Sequence, residues 1–551
     1  MIINKKPRFV FVVGGVMSGI GKGITTASTA RIFKDYGFRV TAVKIDPYLN
    51  IDAGTMNPTE HGEVFVTDDG MECDQDVGNY ERFLGEDIPK VNYMTAGLVY
   101  QSVIEKERNL AYGGKCVEVI PHITDEVERR LMKAAQLAKA DSTGSRQADF
   151  VLVEIGGTVG EYQNLIFLET ARIMKLKMPD RVLFMLVSYF PIPKMIGEMK
   201  TKPTQHAVRA LNSAGIQPDI IIARSAVPLD ESRKLKVSVF CNMQPQDIIS
   251  APDIASIYEV PVNFEEDNLG RRILAKFGLK TKAKGLKQWK DLVDRIRKSQ
   301  KPARIGIVGK YFGTGDFILS DSYLSVIEAV KQAAFSLNRK AEVAWLDAES
   351  YERDAKSAGE LKKFDGIIVP GGFGARGVEG KIKAIEYVRK NNIPFLGLCY
   401  GLQLATVEFA RNVCGLRDAN TTEVDPQTPH PIIHTMAEQV EKIKQKDMGG
   451  SMRLGAYDCQ LNPRSISHKL YAISRISERH RHRYEVNEKY VPLLEKKGLL
   501  IAGRNPQRNL VEVIELPKNK FFIASQFHPE FKARPLSPHP LFVGFIKAAT
   551  E

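Results

Sequence analysis

The stretch FVVGGVMSGIGKGITTAS, residues 11–28, decides the fold: an apolar strand runs into a glycine-rich turn, a lysine and then a helix. That order is the layout of a phosphate-binding loop, in which backbone amides and one ammonium meet a polyanion at a helix N-terminus. Five residues separate Gly15 from Gly21, one more than the standard loop allows. Gly23 follows Lys22 where such loops carry the Ser or Thr that holds magnesium. The metal ligands are therefore to be sought elsewhere in the chain.

Outward from this loop, short β-branched runs alternate with helix-length amphipathic segments, the pattern of a parallel α/β sheet. The first series comprises 8–13, 39–45, 150–155, 182–187 and 219–223. A basic stretch ending in Lys-Pro, with one short amphipathic helix, then breaks the pattern. A second series follows at 304–309, 343–347, 366–372 and 394–399. The expectation is two tandem α/β domains, 1–281 and 304–551, joined by a linker at 282–303. The polar run 140–147 reads as a surface loop.

Bulk properties narrow the class. The 551 residues are 43% hydrophobic and 26% charged, with no apolar run long enough to span a bilayer. Six cysteines are scattered without CxxC pairs, as in reduced thiols of a cytosol, so a cytoplasmic location is expected. A formal charge of +13 suits nucleic acid, nucleoside triphosphates or simply a basic surface. Lysine and arginine are spread rather than gathered in one stripe, so no nucleic-acid or membrane partner is expected.

Candidate metal ligands are acidic. Asp76, in DDGMECDQDVGNYERF, and Glu154, at the end of FVLVEI, offer the carboxylate oxygens that hard cations prefer, Glu154 from a strand end that opens onto the ligand crevice. Lys44 and Asp46 sit at another strand end, where a lysine neutralises phosphate charge. In EMKTKPTQH, Lys200 and Lys202 lie two apart, so extended backbone turns both ammonium groups one way, with Thr204 and Gln205 beside them. Two aligned lysines suggest a second polyanion.

The second domain carries a thiol with its own base. Gly397 and Gly401 flank Cys399 in PFLGLCYGLQLA, permitting a cramped strand-turn-helix bend that lifts a nucleophile into the open. Near the C-terminus, His528 and Glu530 in FHPE fall on one face of an extended segment, so the carboxylate orients the imidazole that takes the thiol proton. The amides of Gly372, in VPGGFG, and Tyr400 are candidate oxyanion donors. The PGGFG, GLCYG and FHPE segments resemble the class I glutamine amidotransferase domain. That resemblance implies ammonia release from glutamine through a thioester, with glutamine contacts at Gly372, Tyr400, Gly401, Leu402, Gln403, Glu423 and Arg483.

The loop itself is similar to that of dethiobiotin-synthetase-like ATPases. Taken with KIDPYLNIDAGTMNP, HGEVFV, EIGGTVG, KTKPTQH and SVFCN, it resembles the CTP synthase family over nearly the whole chain. The resemblance implies ATP-dependent phosphorylation of UTP at O4, then displacement of phosphate by ammonia to give CTP. It implies Mg2+ on Asp76 and Glu154, and ATP on Gly19, Ile20, Gly21, Lys22, Gly23 and Ile24, with Asp253 and Ile254 near the adenine. It places the pyrimidine nucleotide against Ser18, Lys200, Thr201, Lys202, Pro203, Thr204, Gln205 and Lys236, and the feedback and ribose contacts at Glu161, Tyr162 and Gln163. GTP as activator, CTP as inhibitor and a homotetramer are further implications. Glu161, Tyr162 and Gln163 stand where the family usually reads Asp-Ile-Glu, and the link 310–323 is longer than usual. Rival readings are a cobyrinic or cobyric acid amidotransferase, which lacks the double-lysine run, a ParA-like ATPase, which carries a lysine early in its loop, and a filament-forming structural protein.

Overall fold

The computed structural model describes residues 6–138, 147–195, 197–283, 285–310, 313–314, 317–318, 320–436, 439 and 450–551. The run 140–146, expected as a loop, and the side chains of 311–321 lie outside the described residues. The chain divides into two compact units, 1–52 with 76–293 and 53–75 with 294–551. Residues 53–75, which the tandem pattern puts inside the 1–281 domain, thus pack with the second unit.

The first unit is built on a seven-stranded sheet in the order Tyr93–Thr95, Val40–Asp46, Phe150–Ile155, Arg8–Gly14, Val182–Tyr189, Ile220–Ser225, Ile248–Pro252. Every pairing is parallel. Its strands are apolar on both faces because helices cover both, and they read as continuous runs rather than alternations. The strand Arg8–Gly14 lies centrally; the chain leaves it toward Val40–Asp46 on one side and leaves its neighbour Val182–Tyr189 toward Ile220–Ser225 on the other, which puts the glycine-rich loop at the switch point where ligands bind. Register brings Lys44 level with Glu154.

The expected linker is largely structured. Lys287–Lys298 is helical and its Trp289 is fully buried, donating Nε1–H to the Tyr258 carbonyl at 2.7 Å. Phe83 packs on the indole at 5.2 Å and the Arg31 guanidinium lies over it at 5.0 Å. The strand beyond begins at Lys301 rather than 304.

The second unit has a nine-stranded sheet. Arg339–Asp347, Lys301–Gly309, Gly366–Val369, Phe395–Leu398 and Phe522–Ser525 run parallel. Val511–Glu515, Leu500–Arg504, Arg453–Leu461 and Arg475–His482 extend it antiparallel. A small hairpin, Val64–Val66 with Glu72–Asp74, belongs to this unit. Among the described residues no helix is long and apolar enough to cross a membrane.

Candidate active sites

In the first unit the loop delivers its lysine directly into the helix Lys22–Asp35. Gly21 stands at the helix entrance with φ 86°, a left-handed conformation that a side chain resists. Lys22 is buried and donates to the Gly157 carbonyl at 2.7 Å. A Cβ on Gly23 would overlap the Asp76 carboxylate. The missing Ser or Thr therefore has a steric reason: the carboxylate occupies that space. Asp76 lies in the first turn of the helix Gln75–Leu84, not in a solvated loop.

Lys44 joins the two acids singled out from the sequence, with Nζ 2.5 Å from Asp76 Oδ2 and 2.9 Å from Glu154 Oε1. Asp46 is 3.8 Å away and accepts from the Tyr93 hydroxyl at 2.9 Å, while Tyr80 donates to Glu154. Burial, with the Asp76 charge adding to it, pushes the Glu154 carboxyl up to about 7 against the pull of Lys44 and Lys22. Burial likewise raises Asp46 to about 6. Three acids share two lysines in a largely buried cluster, a donor set of hard oxygens short of positive charge. The arrangement fits a divalent cation held by Asp76 and Glu154. Lys44 is engaged with carboxylates here, not free toward a phosphate.

Asp253 and Ile254 line a cavity of about 260 Å³ with Gly21, Ile24 and Thr25 of the loop. Arg224 walls it, donating to the Ala251 and Pro252 carbonyls at 2.7 and 3.1 Å and to Asp253 at 2.9 Å. Nothing in the local pattern around Arg224 marks it, because its place is set by a neighbouring parallel strand.

The KTKPTQH pattern predicts extended backbone with aligned lysines; instead Lys202–Ser213 is helical, with Pro203 in its first turn where a missing N–H is harmless. Lys202 lies over the Phe240 ring at 5.6 Å, while Lys200 pairs with Glu198 at 2.6 Å. Hydrogen bonding from Lys200, with Arg233 and Lys236 nearby, holds the Glu198 carboxyl below its usual range. Lys200 and exposed Lys236 thus share one basic neighbourhood. Thr204 is hydrogen-bonded to Ser188 at 2.8 Å, and Gln205 donates to Thr201 at 3.1 Å. Tyr162 and Gln163 edge a separate open cleft of about 810 Å³ with Leu49, Val119 and Leu165, while Glu161 accepts from Thr158 and from Gln163. Ser18 and Gly19 are exposed and Ile20 is buried.

In the second unit Cys399 adopts φ 50° and ψ −96° between Phe395–Leu398 and the helix Tyr400–Asn412. A non-glycine residue pays about 1–3 kcal/mol for such a conformation, and it persists because neighbours leave no alternative. A Cβ at Gly397 would come within 2.8 Å of Ala524, and one at Gly401 would overlap the Val369 carbonyl. Gly371 faces both His528 and Cys399, its hypothetical Cβ 2.9 Å from the imidazole and 3.8 Å from the cysteine Cβ.

His528 Nδ1 is 2.7 Å from Glu530 Oε1. The FHPE alternation predicts an extended segment here, but Pro529–Lys532 is a 3₁₀ turn, and that turn brings the carboxylate to the ring. Burial opposes charge on His528, yet the Glu530 and Cys399 charges outweigh it and raise the imidazole to about 10. Cys399 acts on the ring both through its charge and through a side-chain hydrogen bond.

Cys399, Gly372, Gln403, Glu423 and Arg483 line one cavity of about 410 Å³. Glu423 accepts from the Gly374 amide at 2.6 Å, Tyr400 donates to the Gly374 carbonyl at 3.0 Å, and Arg483 is braced by Gln439 at 2.7 Å and Ser451 at 2.9 Å. The side chain of Leu402 goes to the hydrophobic core instead. Thr55, Met452, Arg481 and His482 also line the cavity. Thr55 comes from a sequence-distant segment, and His480 and His482 lie in a charged strand whose side chains are buried rather than solvated.

Comparison with known proteins finds two families along the chain. A family described as CTP synthase N-terminus matches residues 8–279, and one described as glutamine amidotransferase class-I matches 318–548. A CTP synthase of Thermococcus gammatolerans is 50% identical over 548 residues, 99% of each chain. One of Microcystis aeruginosa is 48% identical over 545 residues, 99% of this chain and 97% of its own. A solved glutaminase domain of Trypanosoma brucei CTPS with bound acivicin is 38% identical, covers 45% of this chain and 93% of its own, and has a TM-score of 0.41. With two sites of this build and such identity over its full length, the chain belongs to the CTP synthase family.

Proposed function

We propose that this chain makes CTP from UTP, ATP and glutamine, with hydrolysis and amination at separate sites. The observation that carries the reading is their coexistence on one chain: a strained thiol beside a Glu-oriented imidazole, and a phosphate loop whose lysine-bridged acids are short of positive charge.

At the first site, Cys399 adds as thiolate to the glutamine amide carbon. The amides of Gly372 and Tyr400 hold the oxyanion, and His528, steadied by Glu530, gives its proton to the departing ammonia. Water then cleaves the thioester to glutamate. Glu423, Gln403 and Arg483 orient the glutamine, with Gly401 and Leu402 contributing backbone.

At the second, the amides of Gly19, Ile20, Gly21, Lys22, Gly23 and Ile24 cradle the ATP phosphates, and Asp253 and Ile254 border the adenine. Asp76 and Glu154 are the residues that would hold Mg2+, which when bound would supply charge stabilisation for the transferring phosphoryl group. The γ-phosphoryl passes to UTP O4, ammonia adds at C4, and phosphate leaves. Lys200, Lys236 and Ser18 bind the pyrimidine nucleotide, with Thr201, Lys202, Pro203, Thr204 and Gln205 forming its wall. Glu161, Tyr162 and Gln163 take the product CTP as inhibitor. GTP activates hydrolysis. The chain works as a cytoplasmic homotetramer, to which the exposed apolar residues Leu49, Val119 and Leu165 around the large cleft lend themselves.

Phosphate release from ATP tests the reading: it is expected to require UTP, with CTP formed in equal amount when ammonia is present. Release without UTP, or with no CTP, overturns it.

A further inference from the structure

The hairpin segment 53–75 lies two side chains from the catalytic imidazole. Asp68 is held by Arg479, which is fully buried, and by Lys532 at 3.2 Å. The Arg479 guanidinium also donates to the Val66 carbonyl at 3.1 Å and to the Phe531 carbonyl at 3.4 Å, and lies 5.3 Å over the Phe65 ring. Phe65 meets Phe531 edge-on at 5.0 Å, and Phe531 stacks flat on His528, 5.0 Å away with 15° between planes. The backbone of Arg479 joins in, its carbonyl accepting from the His528 amide at 2.8 Å.

Two residues on, the same strand repeats the pattern for the thiol. Arg481 pairs with Glu72 at 2.8 Å, and its carbonyl faces Cys399 Sγ at 3.8 Å. The strand Arg475–His482 therefore holds the hairpin with its side chains, and with its carbonyls the backbone of His528 and the thiol of Cys399.

His528 has little else to fix its ring. Glu530 grips Nδ1 and Phe531 lies flat against one face of the ring, while the Arg479 carbonyl fixes the backbone from which the ring turns toward Cys399. We propose that Asp68, Arg479 and Phe531 are positioning residues for glutamine hydrolysis, setting the plane of His528 against Cys399. This rests on the glutaminase reading above. None of the three reaches into the larger glutamine cavity, so their loss acts on the chemical step and spares binding.

Asp68→Asn keeps the size of the side chain and removes its charge. The expected result is a fall of about tenfold or more in kcat for glutamine hydrolysis, with KM for glutamine held within about twofold. Alkylation of Cys399 by iodoacetamide slows in step, ammonia-dependent CTP formation is unchanged, and Asp68→Glu recovers most of kcat. Phe531→Leu reproduces the split without touching a charge. An unchanged kcat, a rise in KM alone, an equal loss of the ammonia-dependent reaction, or no recovery in Asp68→Glu overturns the inference. Cys399→Ala separates the two levels. If it still hydrolyses glutamine, the glutaminase reading falls. If it does not, and Asp68→Asn behaves as the parent, only the positioning role falls.

Discussion

Glu154 lies near the end of a strand buried on both faces, and the Lys44 and Lys22 charges that act on it are shared with other acids. A carboxylate so placed is held ready for a cation, because removing it from water has already cost its hydration and Lys44 repays only part. Gly23 belongs to the same design, since any larger residue there displaces Asp76. Glu154→Gln keeps the shape and the Tyr80 contact but removes the charge. CTP formation is expected to fall by about 100-fold or more with either nitrogen source, while glutamine hydrolysis measured without nucleotides persists. Near-parental CTP formation in this variant removes Glu154 from the metal site.

At the scale of elements, one buried acid ties two helices of the first unit. Glu126, in Thr124–Gln136, accepts from Lys106 of Ala96–Arg108 at 2.5 Å and from Arg129 and Arg130 at 2.6 and 2.8 Å. Burial raises its carboxyl, but hydrogen bonds from Arg129 and Lys106 and the Arg130 charge prevail and lower it from 4.5 to about 2. A depressed folded value contributes stability that is complete above 4.5 and is lost as pH falls through about 2. Glu126→Gln is expected to cost about 1–3 kcal/mol at neutral pH, the gap in Tm from the parent narrowing as pH falls from 4.5 through about 2. A gap that stays constant with pH contradicts the assignment. Elements of this kind differ in how openly the sequence declares them. The strand Phe150–Ile155 is legible to the residue, because a short apolar run rich in valine, bounded by the glycines that follow it, has one economical fate. The first turn at Lys202 is hidden, because period-two spacing of lysines suits a strand while Pro203 equally suits a helix start. Arg475–His482 is harder still: RISERHRH is strongly polar, yet Arg479 and His480 are wholly buried, paid for by partners elsewhere in the chain.

For the whole molecule, the tandem α/β plan and the Cys399–His528–Glu530 set are carried by short local motifs and are readable as such. The packing of residues 53–75 with the second unit is not, because it rests on contacts such as Asp68–Arg479, 411 positions apart, which no local pattern encodes. The consequence is that a segment lying in sequence between Asp46 and Asp76 helps to frame the cavity that Cys399 lines. Hydrolysis of glutamine and amination of the nucleotide are proposed above as separate steps at separate sites. Cys399→Ala, assayed for CTP formation with UTP and ATP, tests this separation most directly. Formation from glutamine is expected to be abolished while formation from ammonia continues at the parental rate. Loss of both in a folded protein, or survival of the glutamine-dependent reaction, contradicts the account.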